Sequence, residues 1–147
     1  MASYGAHTYA VDQRNEDVLI SVNGDITHRS KAVVSVFDSG FMLGDGVWEG
    51  LRLHNGGIPF LRAHLTRLYE GARTLDFEVG LTPAELTARI RDVIRANDMH
   101  DGVHIRLMVT RGIKATPYQD PRVTISPATI VIIPEYKEAM KDTLDRG

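Results

Sequence analysis

The segment Val36-Phe37-Asp38-Ser39-Gly40-Phe41-Met42-Leu43-Gly44-Asp45-Gly46-Val47-Trp48-Glu49-Gly50-Leu51-Arg52 places five Gly or Ser among seventeen positions, then runs directly into an apolar, strand-like tail. Backbone this short of side chains is backbone that comes close to something a Cβ would obstruct. From Gly46 onward, strand alternation puts Gly46, Trp48, Gly50 and Arg52 on one face and Val47, Glu49, Leu51 and Leu53 on the other. The first face combines two missing side chains, an indole and a guanidinium, which is how a sheet makes a shelf for a planar ligand. The same pattern also suits an aromatic filling a core gap beside glycines kept for a bulge. Glu49 falls on the apolar face, where a carboxylate needs a partner, and the linear sequence does not name one.

Working outward, Val18-Leu19-Ile20-Ser21-Val22, Asn23-Gly24 and Ile26-Thr27 read as a hairpin with a tight turn. Ala32–Phe37 is a β-rich run, and His54-Asn55-Gly56-Gly57 reverses the chain after the strand that begins near Val47. The period then changes. Leu61, Leu65, Leu68, Ala72 and Leu75 form a helical stripe, and Thr82-Pro83-Ala84-Glu85 is a capping box opening a second helix through Ile94. Val103–Thr110 alternates as a strand, and Ala128–Ile133 reads as a last, fully buried one after a polar, proline-bearing loop. Strands grouped around two adjacent helices predict an α+β domain with a mostly antiparallel sheet.

A chain of 147 residues suits one domain. Its formal net charge of −2, with 43% hydrophobic and 24% charged residues, argues against a general nucleic-acid or membrane-surface binder. The absence of cysteine excludes disulfides, thiolate catalysis and thiolate metal sites in this sequence. Met1–His7 lacks the pattern of a signal peptide, no apolar run approaches the ~20 residues of a membrane span, and a cytoplasmic location is the expectation.

Three groups carry candidate chemistry. Arg67 lies about 100° off the apolar helical stripe, beside Gly71, where its fork can meet a phosphate or simply face water. His104 and Arg106 share the polar face of the Val103–Thr110 strand with Met108 and Thr110. With Thr110-Arg111-Gly112 beyond them, they can receive a carboxylate or form the wet side of a sheet. No nucleotide-binding glycine motif, nucleophile elbow or metal-ligand histidine spacing is present, and Asp38 and Asp45 read as turn residues.

The glycine turn, His64-Leu65-Thr66-Arg67-Leu68 and Thr110-Arg111-Gly112, in this order across residues 17–136, resemble the fold-type IV family of pyridoxal-phosphate enzymes, the branched-chain and D-amino-acid aminotransferases and their relatives. The resemblance implies that residues 1–136 are that family's N-terminal domain, with 137–147 starting an interdomain linker and a C-terminal domain missing. It implies pyridoxal 5'-phosphate as cofactor, Arg67 on its phosphate, and Trp48, His104, Arg106 and Tyr118 (in the 113–122 loop) on the substrate side. The implied reaction moves an amino group between an amino acid or amine and a 2-oxo acid, in a homodimer. It also implies that the Schiff-base lysine lies downstream. Lys31, Lys114, Lys137 and Lys141 lack its context, so no catalytic residue is assigned and the chain alone is expected to be inactive. Leu43, Trp48 and Thr116-Pro117-Tyr118 depart from the family's usual residues, which leaves the substrate open. An aminodeoxychorismate-lyase-like enzyme and a free-standing, non-catalytic binding domain of the same fold are the alternatives.

Overall fold

The computed structural model describes residues 11–137. Five strands form one antiparallel sheet in the order β2-β1-β5-β4-β3: β1 (Leu19–Val22), β2 (Asp25–His28), β3 (Gly46–Leu53), β4 (Val103–Thr110) and β5 (Thr129–Tyr136). Two fourteen-residue helices, α2 (Leu61–Thr74) and α3 (Pro83–Ala96), cover one face, and a short α1 (Ser39–Leu43) precedes β3. The fold is α+β. None of its helices among the described residues is long and apolar enough to cross a membrane.

The core is the interface the two periodicities predict. Leu51, Leu53, Val103, Ile105, Leu107, Val109, Ile130 and Ile132 from the sheet meet Leu65, Leu68 and Ala72 of α2 and Leu86, Ile90, Val93 and Ile94 of α3. Each such aliphatic side chain taken from water contributes about 1.5–3 kcal/mol. The capping box of α3 is complete, with Thr82 Oγ1 accepting from Glu85 N–H and Glu85 accepting from Thr82 N–H at 2.7 Å. Asn97 closes α3 and ties it to the sheet: its amide donates to the carbonyls of Val93 and Leu19 and its oxygen accepts from Leu19 N–H. The hairpin turn takes left-handed geometry at both Asn23 and Gly24, as an Asn-Gly pair permits.

Three expectations are corrected. Ala32–Phe37 is no strand; it is largely exposed chain that ends in a turn at Val36-Phe37, closed by Asp38 N–H on the Ser35 carbonyl, and apart from the bridge that follows at Asp38 no neighbouring strand pairs with it. The glycine-rich segment contains a helical turn: buried Asp38 N-caps α1 through the Gly40 and Phe41 N–H groups, and Gly44 ends it in the left-handed region. β5 runs to Tyr136 and alternates after its first two residues rather than being buried throughout, since among the described residues the two long helices cover only one face of the sheet. Of the interdomain linker expected over 137–147, residues 138–147 lie outside the described residues.

What the glycines approach is the neighbouring strand. A Cβ on Gly46 would stand 2.7 Å from the Val109 carbonyl oxygen, and one on Gly40 would overlap the Thr110 methyl group. Their absence lets α1 and β3 lie against the end of β4, where Thr110 Oγ1 donates to Asp38 at 2.8 Å.

Candidate functional site

β3 is the last strand of the sheet, so its outer edge pairs with no other strand among the described residues. Consecutive residues of this edge strand send side chains to opposite faces, and the candidate groups divide accordingly. Glu49 points toward α2; Trp48 points to the face opposite α2 and α3.

On the helix side, Glu49 is 2% exposed and fully engaged. Arg67 donates through Nε to Oε1 at 2.6 Å and through Nη2 to Oε2 at 2.5 Å. His64 Nδ1 lies 2.8 Å from Oε2. An ionised carboxylate only accepts, so Nδ1 carries a proton, and Nε2 has no partner among the described residues. The Arg67 hydrogen bonds hold the Glu49 carboxyl below the usual carboxylate range, against desolvation, with His64 adding to them; in return Glu49 raises Arg67. The helical spacing of three between His64 and Arg67 presents both to one carboxylate. The Arg67 side chain remains 71% exposed, and its Nη1 has no partner among the described residues. The result is a cation clamped in one orientation at the sheet edge with one donor edge facing out.

On the other face, the Arg106 guanidinium lies over the Trp48 ring, 4.1 Å from its centroid. One face of the Trp48 ring is thus already covered by an arginine. His104 reaches toward the space left by Gly50, its Nε2 3.2 Å from where a Cβ would stand. Burial lowers the His104 pKa, and the charges of Lys137, Arg106 and Arg52 lower it further, with Glu135 opposing, so the ring is neutral at pH 7. Arg52, at the far end of the row, donates to the Lys137 carbonyl.

Trp48, Arg106 and His104 therefore sit together, and Arg67 sits on the opposite face one strand residue away. Only a ligand lying along the β3 edge would meet both. Tyr118, 63% exposed, stands at the tip of a loop whose two sides pair through a Lys114–Thr124 bridge. Lys114 is 1% exposed and donates to the Asp120 carbonyl at 3.0 Å, bracing that tip. Arg111 does not face a ligand: it pairs with Asp45 at 2.7 Å and donates to the Leu75 and Asp76 carbonyls, locking the glycine turn to the end of α2. His64 enters the sequence reading only as the first residue of the His64-Leu65-Thr66-Arg67-Leu68 motif, with no role assigned; its pairing with the unpartnered Glu49 becomes visible only once α2 packs on β3.

Set beside known proteins, residues 46–146 match the family model for amino-transferase class IV. The branched-chain-amino-acid aminotransferase-like protein 1 of Arabidopsis thaliana is 38% identical over 128 residues, covering 87% of this chain and 23% of that protein. The D-alanine aminotransferase of Bacillus licheniformis is 36% identical over 90 residues, covering 61% of this chain and 31% of that protein. The crystal structure of the T.th. branched-chain amino acid aminotransferase in complex with N-(5'-phosphopyridoxyl)-L-glutamate superposes with a TM-score of 0.71 at 28% identity, over 84% of this chain and 42% of that one. This chain thus spans less than half the length of each. With the family model matching well over half its residues, the chain belongs to the class IV aminotransferases.

Proposed function

We propose that these residues form the phosphate-binding and substrate-facing side of a pyridoxal 5'-phosphate-dependent aminotransferase that moves an amino group between an amino acid or amine and a 2-oxo acid. The observation that carries this reading is Arg67, clamped by buried Glu49 and exposed at the free edge of β3. A phosphate monoester requires N–H donors fixed in space before it arrives, and Arg67 Nη1 meets that requirement. The donor set therefore fits the cofactor's phosphate, with Arg67 holding it and Glu49 orienting Arg67. When bound, the cofactor supplies the electron sink for the reaction. On the opposite face, Arg106 and His104 receive the substrate's polar end, while Trp48 and Tyr118 supply apolar surface.

Proton transfer needs a base at the substrate carbon. Among the described lysines, Lys114 is buried in its loop, Lys31 follows β2, remote in the sheet order from the β3 edge, and Lys137 is exposed just past β5, where its charge acts on His104. None of the three stands in the sequence context of the family's cofactor lysine, so the reading assigns that lysine to further polypeptide, of the kind that makes up the rest of the relatives' length, and makes the chain inactive alone. A homodimer with cytoplasmic location completes the proposal. The exposed Phe37, Phe41, Trp48 and Tyr118 support a surface that further polypeptide covers.

Titration of the chain with inorganic phosphate, followed by calorimetry, tests this directly. Phosphate binding that disappears in Arg67→Gln is expected; equal binding in the variant would remove the reading. Borohydride reduction after adding pyridoxal phosphate, with peptide mapping, is expected to show no stoichiometric adduct. A single adduct on Lys31, Lys114 or Lys137 would mean the chain carries its own cofactor lysine.

A further inference from the structure

Arg106 and Trp48 are not direct cross-strand partners. The register sets Gly50 opposite Arg106 and Met108 opposite Trp48, so the stacked pair is diagonal, a separation only long or aromatic side chains bridge. Gly50 makes the crossing feasible, because no side chain there stands between the two.

The stack differs from the surroundings of the other arginines near the site. Arg67 uses Nε and Nη2 on Glu49, Arg111 is engaged by Asp45 and two carbonyls, and Arg52 donates to the Lys137 carbonyl. Arg106 has no hydrogen-bond acceptor and no ion pair among the described residues. Among the described residues its guanidinium is held by the indole face. Glu135, the acid on the same sheet face, is opposite His104 and lies 4.0 Å from Arg29. An aromatic ring attracts a guanidinium through its quadrupole without using an N–H group. All five donors of the fork therefore stay available while the side chain is held in place.

We propose that Trp48 is a positioning residue for carboxylate recognition: its ring holds the Arg106 guanidinium by stacking and leaves the whole fork free to grip a ligand carboxylate. This deepens the functional reading above and rests on its assignment of Arg106 to the substrate side. It also narrows the ligand class. A ligand that stacks on the same face of Trp48 must displace Arg106, whereas a carboxylate-bearing one uses the stack as it stands, so amino acids and 2-oxo acids are favoured over simple amines.

The test uses the 15N-labelled chain, with pyruvate as the carboxylate probe and inorganic phosphate as the control. In the wild type, the Arg106 Nε–H resonance should show the ring-current shift of a stacked guanidinium and move on adding pyruvate. Trp48→Leu should abolish the ring-current shift and weaken pyruvate binding about three-fold, with phosphate binding unchanged. Trp48→Phe, which keeps a ring, should fall between. Because Trp48 is 62% exposed, these variants leave the core intact. Arg106→Gln should lose pyruvate binding. If Trp48→Leu binds pyruvate as tightly as wild type while Arg106→Gln does not, the positioning role is overturned and Arg106 still stands as receptor. If Arg106→Gln binds pyruvate unchanged, the substrate-side reading fails and the positioning role with it.

Discussion

Replacing Glu49 with glutamine should destabilise the fold more than replacing it with methionine, although glutamine is the closer mimic. The Glu49 carboxylate accepts three hydrogen bonds, one on Oε1 and two on Oε2, from Arg67 and His64. A glutamine offers one acceptor oxygen and one amide nitrogen, so in either orientation the nitrogen faces a donor at a site that is 2% exposed. A buried polar group left in that state costs about 1–3 kcal/mol. In a chain of this size, that corresponds to roughly 3–9 °C in melting midpoint. Methionine leaves no orphaned group, and Arg67 and His64 both reach solvent, so it should lie within about 1 kcal/mol of wild type. The pH dependence supplies a second check. Hydrogen bonding by Arg67 lowers the Glu49 pKa below its ordinary value of 4.5. A depressed carboxyl contributes stability that is present above the unfolded value and is lost as pH falls through the folded value. The difference between wild type and Glu49→Gln should therefore be constant above pH 5 and shrink below 4.5. Urea unfolding at pH 7 and pH 3.5 measures both effects. Equal stability of glutamine and wild type at pH 7, or a gap of the same size at both pH values, would refute the reasoning.

Other outcomes follow from the same geometry. Gly46→Ala should cost about 1–3 kcal/mol in urea unfolding, because its Cβ meets a backbone carbonyl that cannot step aside. Gly50→Ala meets only the movable His104 ring and should cost less than about 1 kcal/mol; similar losses at both positions would contradict the close approach of β3 to β4. The His104 pKa is lowered chiefly by burial, then by Lys137, Arg106 and Arg52, so the unfolded chain binds the proton first. Stability should decline as pH drops below about 6.5. His104→Gln should flatten that slope between pH 7 and 5, and an unaltered slope would assign it to another group.

The sequence by itself determined the elements whose periodicity is strong and the partners that are local. The helical stripe from Leu61, the capping box at Thr82, the Asn-Gly hairpin and the alternation of β4 each depend on residues a few positions apart, where local geometry dictates the contact. The same local logic separated Glu49 from Trp48 on β3 and put His104 and Arg106 on one face. It failed at Ala32–Phe37, where β-favouring residues had no partner strand, and inside the glycine turn, where the Asp38 cap made a helix. Tertiary structure alone decided the rest. Glu49 meets Arg67 and His64 only because α2 lies across β3, fifteen and eighteen residues further along the chain. Arg106 meets Trp48 only through a cross-strand register that no local pattern specifies. The shelf read from the alternation is real as backbone, but one face of its indole is covered by an arginine. Long-range pairing is set by which faces must leave water together, and that is a property of the packed core rather than of any single segment.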